Sequence, residues 1–517
     1  MTSPAATTAF DRYAQIGDLA LRVRSLIDRI WLPIIVVLGG EVAVLVLSDN
    51  PAATCFGAIV LGTLFIFGVW RRAGIGLPLV PVVAVQHLIA YGLPIVIGNE
   101  SVIHSPEVEV TESGLEVLVF SVALIATWSV AMRIILPARP ESYAMPDFQQ
   151  EGSDRLNRLG LGLIIAGTAY QVLDQANLLD FLFALLPSGS NSLVGPLVTG
   201  ASACGFFLTA LFVGSGDIKR PQRIMFWTLL IVSAGLSASG FLLSAATTMV
   251  AAVLIGLFWS TGKIPWRYVT IVVAVLSFLS VGKFTMRSRY WQFGEDKPVA
   301  SFSFIQIPAI YLEWSEASIE ALKPPAEITT LDANKKADDE SRQTLLERIN
   351  NLQNLLYVIH AVQDWNIPPL GGDTYSLIPP LLVPRIMWKD KPRSHEGQVL
   401  LNVHFGRQDI GSTFKTYVAW GLLPEAYGNF GPYLGSVYLG IFMGAFFAWL
   451  ENITARKLLL SLEGFVSFVV LLGFANSFEM VASVLVTMIF QSVIPIIFCS
   501  LPFLRRMTVR RPEPPAA

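Results

Sequence analysis

A cluster of basic side chains stands out late in the chain. Four cations lie within nine residues, and a histidine and a glutamate follow them directly: Arg385, Lys389, Lys391, Arg393, His395 and Glu396. Arginine binds phosphate through a bidentate fork of N–H groups, and lysine binds it as a point charge. The cluster therefore predicts a site for a phosphate-bearing ligand. The alternative is a basic patch that touches anionic lipid headgroups or pairs with nearby acids such as Asp390.

A second pair of cations, Arg287 and Arg289, lies in the stretch RSRYW (287–291), directly after an apolar run. At that position both side chains are expected at the depth of a lipid headgroup. Arg, Tyr and Trp are common at membrane interfaces for purely structural reasons. The pair therefore fits an interfacial anchor and a second part of an anion site equally well.

The composition indicates the kind of protein that must position these residues. Of the 517 residues, 53% are apolar or aromatic and only 14% are charged, with a mean hydropathy of +0.58. Soluble proteins carry about 25% charged residues, so a soluble enzyme, a disordered chain and a nucleic-acid binder are excluded. The net charge of −2 indicates no particular partner. We predict an all-α polytopic membrane protein.

A bilayer core about 30 Å thick requires roughly 20 apolar residues per helical crossing. The apolar stretch from Met225 to Ser260 is too long for one helix, and we divide it near Ser239 and Gly240. About twelve spans result, at 31–48, 53–70, 77–97, 116–136, 158–174, 193–213, 224–239, 243–260, 267–284, 432–450, 460–477 and 481–501.

The basic residues give the orientation, because Lys and Arg concentrate in cytoplasmic loops. More than half of the 36 basic residues precede the first span or follow every second span, and the others lie between Lys283 and Lys415. Both termini are therefore expected in the cytoplasm. The membrane is expected to be a bacterial inner, or plasma, membrane. The predicted organisation is a cytoplasmic segment at 1–30, nine spans in 31–284, an external loop at 285–431, three spans in 432–501 and a basic tail at 502–517.

The external loop carries the cationic cluster, and a lipid diphosphate is the obvious anionic substrate on that face. Within the loop, 302–322 predicts a helix rich in aromatic residues and 323–341 predicts a linker. Apolar residues at helical spacing predict an amphipathic helix at 342–365, which carries His360. No metal-ligand spacing is present, so no metal or other cofactor is expected. Within the spans, Glu41 and His87 fit either packing or a polar cleft.

Two short stretches, VPRIMWKDKP (383–392) and PEAYGNFGPYLG (424–435), resemble bacterial oligosaccharide repeat-unit polymerases. These are the Wzy-type O-antigen, exopolysaccharide and enterobacterial common antigen polymerases. The plan of many spans, cytoplasmic termini and one dominant external loop is also similar to that family. One departure is the lack of an R-x10-G motif, since the distance from Arg385 to Gly397 is one residue too long.

The resemblance implies transfer of a growing glycan from undecaprenyl diphosphate onto a new lipid-linked repeat unit, without nucleotide. It implies that the cations of 385–393, together with Arg287 and Arg289, bind the diphosphate, with Arg385 the catalytic one. Asn429 is expected to bind substrate. A general base needs a pKa near neutrality; of His360, His395, His404, Glu396 and Glu425, the resemblance favours His395 and Glu425.

The expected partners are the lipid-linked donor and acceptor, the bilayer and, from the resemblance, a chain-length regulator and a flippase, but no nucleic acid. Three alternatives stay open. An O-antigen ligase uses similar donors with a different acceptor. A polysaccharide flippase or transporter would show paired interrupted helices with buried charges. A membrane scaffold would use the external loop only to bind partners.

Overall fold

A computed structural model describes most of the chain in several stretches. The predicted linker, Arg385, Lys389 and the basic tail lie outside the described residues. The described ranges are 16–134, 150–176, 178–185, 191–291, 302–303, 305–322, 350–383, 387–388, 390–413, 418–457, 462–475, 480–490 and 492–493.

The described residues are all-helical and contain no strands. The helices of the first half are α1 (Gly17–Leu47), α2 (Ala53–Ala73), α3 (Leu79–His87), α4 (Leu93–Val96), α5 (Glu100–Ile103), α6 (Glu107–Ile134), α7 (Gln150–Gln175), α8 (Leu178–Ala184) and α9 (Asn191–Ser215), of which α4, α5 and α8 are short. The others are α10 (Arg220–Ala238), α11 (Leu243–Thr261), α12 (Trp266–Tyr290), α13 (Ile307–Leu322), α14 (Leu352–Gln363), α15 (Asp373–Ser376), α16 (Ile378–Leu382), α17 (Glu396–His404), α18 (Ile410–Thr413), α19 (Leu422–Phe430), α20 (Leu434–Thr454) and α21 (Leu462–Ala475).

Seven helices among the described residues are long and apolar enough to cross a membrane, which is consistent with the predicted class of helical membrane protein. The predicted break near Gly240 is present, because α10 ends at Ala238 and α11 begins at Leu243. A π-helical turn at Leu88–Gly92 joins α3 to α4. The seven helices are Gly17–Leu47, Ala53–Ala73, Leu79–Val96, Glu107–Ile134, Val194–Ser215, Trp266–Tyr290 and Leu434–Thr454.

The chain forms two compact units. Unit 1 comprises 1–156 and 350–517, and unit 2 comprises 157–349. The predicted external loop at 285–431 is thus divided between them. Its first part, with Arg287 and Arg289, belongs to unit 2, and its later part, with the cationic cluster and the 424–435 stretch, belongs to unit 1.

Unit 1 is centred on α2, α6 and α20, which pack closely through small residues. A Cβ atom added at Gly114 of α6 would lie 2.5 Å from the Cys55 Cα atom on α2. A Cβ atom added at Gly444 of α20 would lie 2.4 Å from the Leu124 carbonyl oxygen on α6. Small residues allow this close backbone approach, which is how helices associate in a bilayer without a hydrophobic driving force.

One buried carboxylate joins these three helices at one end. Glu451 of α20 accepts hydrogen bonds from the indole N–H groups of Trp70, at 3.3 Å, and Trp128, at 2.9 Å. It also accepts from the backbone N–H groups of Ile75, at 2.7 Å, and Gly76, at 3.1 Å. All three helices therefore end in the same place and run parallel, as the predicted orientation of the second, fourth and tenth spans requires.

The same end of unit 1 carries basic residues and the start of the described chain. The Arg24 guanidinium of α1 donates to the Arg71 carbonyl oxygen of α2 at 2.7 Å, so α1 and α2 are antiparallel. The backbone N–H of Gly17 donates to the Ala455 carbonyl oxygen at 3.0 Å. Basic residues thus gather where α2, α6 and α20 end, whereas the opposite ends of α6 and α20 meet the 350–431 segment.

Unit 2 contains a polar seam between α7 and α10. Thr168 hydrogen-bonds to Ser233 at 2.6 Å, Gln171 donates to Ser237 at 3.0 Å, and Gln175 donates to Ser239 at 3.0 Å. Polar side chains that pair across helices are the expected solution where water is absent. Their order along both helices shows that α7 and α10 run parallel.

The end of α12 packs against α13 in unit 2. Trp314 of α13 donates its indole N–H to the Leu279 carbonyl oxygen at 2.8 Å and packs edge-on against Phe241 at 5.2 Å between ring centroids. The helix predicted at 302–322 is present as α13. α13 also supplies Glu313, which pairs with the exposed Arg289 of the RSRYW stretch.

Candidate active site

Glu425 of the 424–435 stretch lies at the centre of a fully buried polar core. Its carboxylate accepts a hydrogen bond from the Thr374 hydroxyl at 2.8 Å and one from the Ala482 backbone N–H at 2.6 Å. The side chain has no solvent exposure, and burial raises the pKa of Glu425 to about 7. We call Thr374, Glu425, Asn429 and Ala482 the loop core.

Asn429 completes the loop core and holds a neighbouring turn. Its side-chain amide donates to the Thr374 hydroxyl at 2.8 Å and to the Glu425 backbone carbonyl at 2.7 Å. The backbone N–H groups of Leu370 and Gly371 donate to the carbonyl oxygens of Gly428 and Asn429 at 2.9 and 2.8 Å. Buried polar groups that are all paired rigidify a structure, so the loop core fixes α19 against the 370–376 segment.

The cationic stretch is attached to the same loop core. The Ser483 hydroxyl, next to Ala482, donates to the Ser394 carbonyl oxygen at 3.0 Å. A Cβ atom added at Gly397 would lie 2.9 Å from the Ser483 hydroxyl and 3.8 Å from the Thr374 Cβ atom. The chain directly after the 383–392 stretch, at Ser394 and Gly397, is thus connected to the 424–435 stretch through Thr374 and the 482–483 segment.

The cations of the predicted site have different environments. The buried Lys391 ammonium donates to the carbonyl oxygens of Leu381 and Val383 at 2.9 and 2.6 Å, which closes the turn after α16. Arg393 is exposed. Of the four predicted phosphate-binding cations, the structure describes two: Lys391 bonds to backbone carbonyls, and Arg393 is next to Ser394, which contacts the 482–483 segment.

His395, at the start of α17, is half-buried, and its Nδ1 atom hydrogen-bonds to the Gln398 side-chain oxygen at 2.8 Å. Because that oxygen can only accept, Nδ1 carries a proton, and in the neutral ring Nε2 is the atom with the lone pair. His404 bonds to the Pro368 carbonyl oxygen at 2.7 Å through Nε2. By the same argument His404 is protonated at Nε2.

The two arginines of unit 2 are engaged within that unit. Arg287 donates to the Phe241 carbonyl oxygen at 3.0 Å and stacks over the Trp291 ring at 4.1 Å. Arg289 forms an ion pair with Glu313 at 3.0 Å. Stacking on an aromatic ring and pairing at the end of a span are typical of an interfacial anchor. Their predicted role with a diphosphate stays a prediction.

A group of acidic residues on α6 was not predicted as part of a site. Glu109, Glu112 and Glu116 are all buried on this helix, and we call them the α6 acidic cluster. Glu112 accepts hydrogen bonds from the Gln363 side-chain amide at 2.5 Å and from the Tyr427 hydroxyl at 2.9 Å. Tyr427 lies between Glu425 and Asn429 in sequence, so the acidic cluster is connected to α19 of the loop core.

Glu116 stabilises a strained residue at the start of α20. It accepts hydrogen bonds from the Tyr433 backbone N–H at 2.6 Å and from the Ser436 hydroxyl. Tyr433 has φ of +58°, which is unfavourable for a bulky side chain. The surrounding structure must compensate for such strain, and this carboxylate does so directly. The signal in the sequence is the spacing of the three acids, three and four residues apart, which places them on one helix face.

A half-buried cation, Arg407, lies beside α14 in unit 1. The Arg407 guanidinium donates to the Asn354 side-chain oxygen at 2.8 Å and lies 5.1 Å from the Tyr357 ring centre. Burial lowers the pKa of Arg407 from its ordinary value, although an arginine remains charged in proteins. Its location beside α14 makes Arg407 a second candidate for binding an anion that sequence reasoning did not select.

Comparison of the chain with protein-family models, with curated proteins and with solved structures gave no match. The functional argument therefore depends on the residues and their geometry.

Proposed function

We propose that this protein is a membrane glycosyltransferase that joins undecaprenyl-diphosphate-linked oligosaccharide repeat units into a surface polysaccharide. The observation that carries the proposal is that Ser394, two residues after the 383–392 stretch, and Glu425 of the 424–435 stretch both contact the 482–483 segment. These are the two stretches that resemble repeat-unit polymerases. If the two stretches share one site, the fold must bring them together. Segments this far apart in sequence need not lie close together in the folded chain.

In this proposal all twelve apolar segments cross the inner membrane, with both termini in the cytoplasm. The basic ends of α2, α6 and α20 then face the cytoplasm, in agreement with the positive-inside rule. The opposite ends, with the α6 acidic cluster and the loop core, face the periplasm. This orientation places the later part of the external loop where lipid-linked glycans are accessible.

The reaction is a glycosyl transfer. A hydroxyl oxygen of the acceptor sugar forms a bond to the anomeric carbon of the donor, and the bond from that carbon to the diphosphate oxygen breaks. The electron pair leaves with the diphosphate, and the hydroxyl proton passes to a base. Preorganised cations stabilise the developing charge on a leaving group, a role that we assign to Arg385 with Lys389 and Arg393.

We assign the proton transfer to His395 and a positioning role to Glu425. In the neutral ring, the hydrogen bond to Gln398 leaves Nε2 of His395 as the basic atom, and the side chain is only half-buried. Glu425 has the near-neutral pKa that a base requires, but its full burial keeps it from a substrate. It acts by holding Thr374 and the 482–483 segment in place.

The test is a reaction of the purified protein with the repeat units of its own host, linked to undecaprenyl diphosphate, in the absence of nucleotide. A ladder of lengthening glycans on a gel is the expected result. Folded protein that returns only single repeats from authentic substrate would contradict the proposal. It would favour a ligase that needs another acceptor, or a transporter.

Arg385→Ala is expected to reduce polymer formation by a factor of about 100 or more, because removing one charge-stabilising group typically costs that much in rate. The measurement is the initial rate of ladder formation at equal protein concentration. Arg133→Ala is the matched control, since Arg133 is an exposed arginine at the far end of α6. Full-length polymer from the Arg385 variant would refute the assigned role.

A further inference from the structure

Three side chains at one edge of the α6 acidic cluster form a mixed nitrogen and oxygen donor set. The His360 Nδ1 atom of α14 lies 2.7 Å from a Glu109 carboxylate oxygen and 2.9 Å from an Asp364 carboxylate oxygen. The three donor atoms all lie within 4.8 Å of one another. No part of the reaction proposed above uses these groups.

An imidazole nitrogen cannot satisfy both carboxylates. Nδ1 carries at most one hydrogen, and in the neutral ring it carries either that hydrogen or a lone pair. Two carboxylate oxygens at nearly equal short distances therefore compete for one proton. A divalent cation with bonds of about 2.1 Å holds neighbouring ligands about 3 Å apart, which is close to the separations observed around His360.

The local charge also favours a bound cation. Glu109, Glu112 and Glu116 are buried, and within the described part of the chain none of them contacts a lysine or an arginine. Burying a charged carboxylate costs free energy of folding unless the carboxylate is paired or coordinates a metal. The Asp364 side chain is 54% exposed, so the remaining coordination positions are open to water or to a phosphate oxygen.

The helices that carry the three donor side chains, and the residues packed against them, hold the donor set in place. His360 and Asp364 are four residues apart and therefore lie on one side of α14, and Glu109 is on the first turn of α6. The Trp365 ring packs edge-on against His360 at 5.1 Å between centroids. The start of α14 is fixed because the Asn351 backbone N–H donates to the Ala90 carbonyl oxygen at 2.9 Å.

We propose that Glu109, His360 and Asp364 bind a divalent cation of the first-row transition series, such as Mn2+. Imidazole and carboxylate ligands suit these ions, and a site with open positions is typical of one that also contacts a substrate or water. The local sequence did not suggest this site, since Glu109 and His360 are 251 positions apart. The inference does not depend on the proposed polymerase activity.

The experiment is a titration of the purified full-length protein in lipid nanodiscs with Mn2+, followed by electron paramagnetic resonance of the free ion. We expect one saturable site per chain. Loss of one ligand should weaken binding about tenfold or more, as loss of even an outer-shell partner does in metal sites. The variants are Glu109→Gln, His360→Ala and Asp364→Asn.

Two matched controls are available. His104 is an exposed histidine and Asp373 an exposed aspartate, both outside the donor set, so His104→Ala and Asp373→Asn should bind Mn2+ like the wild type. A thermal melt of each variant checks folding. The proposal would be overturned if the wild type had no saturable site, or if all three ligand variants bound Mn2+ as tightly as the wild type. Because this assay contains no glycan, its outcome and that of the polymerase assay are independent.

Discussion

Replacing Glu451 with alanine is expected to destabilise the protein by at least about 4 kcal/mol. The change leaves four buried donors without an acceptor, the indole N–H groups of Trp70 and Trp128 and the backbone N–H groups of Ile75 and Gly76. Each unsatisfied buried group costs about 1–3 kcal/mol. A melting temperature lower by about 5–10 °C, measured by tryptophan fluorescence in detergent, is the expected readout.

Glu451→Gln should also destabilise the protein, though by less. The amide oxygen keeps two of the four hydrogen bonds, but the NH2 group then faces donors. The control is Glu463→Gln, since the Glu463 carboxylate is half-exposed and lies 3.6 Å from Lys457. Exposed pairs contribute about 0–1 kcal/mol. A Glu451→Ala variant that melts like this control would show that the carboxylate does not hold α2, α6 and α20 together.

The second large effect concerns Glu425 and pH. Folding raises the pKa of Glu425 from 4.5 to about 7, chiefly by burial. Because the folded state favours the protonated form, the stability from this group is fully present below pH 4.5 and is lost as the pH rises to about 7. Glu425→Gln, which mimics the protonated acid, should therefore be more stable than the wild type at pH 8, by an amount on the order of 3 kcal/mol.

At pH 4.5 the Gln variant and the wild type should melt together, and their melting temperatures should separate between pH 5 and 7. If the melting temperatures of the two proteins differed by the same amount at every pH in this range, the raised pKa of Glu425 would be contradicted. Glu425→Ala serves as the comparison, because it removes the acceptor for Thr374 and Ala482 and should be less stable than the Gln variant at every pH.

The same variant separates the two roles considered for Glu425. If this residue only positions the loop core, the Gln variant retains polymerisation within about threefold, because its amide can bond to both Thr374 and Ala482. If Glu425 were the base, as one of the two residues that the resemblance favours, polymerisation by the Gln variant would be slower by a factor of about 100 or more. The ladder assay with equal amounts of folded protein distinguishes these results.

Helices specified by a long local apolar run could be predicted closely from the sequence. The spans predicted at 53–70 and 432–450 correspond to α2 and α20 within a few residues. The span predicted at 116–136 begins nine residues earlier, at Glu107. The acids at that end lower the local hydropathy, but Glu109 and Glu112 are paired with residues 251 positions away. Such partners are not visible in a local window.

The same limit applies to the candidate site. The cationic stretch and Glu425 could be selected because they lie in recognisable short motifs. Thr374 and Ala482 could not, since a threonine and a backbone N–H carry no signature of their own and join the site only through the fold. Burial, which sets the pKa of Glu425, is likewise a property of the folded chain.

The division of unit 1 into two distant parts of the chain has a consequence for its biogenesis. Trp128 and its acceptor Glu451 are 323 residues apart, and translation at about 5–20 residues per second separates their synthesis by roughly 16–65 s. During this interval α2 and α6 are already in the bilayer while α20 does not yet exist. The α6 acidic cluster then lacks Tyr427 and Ser436, so α6 is the helix that an insertion chaperone would have to shield from lipid.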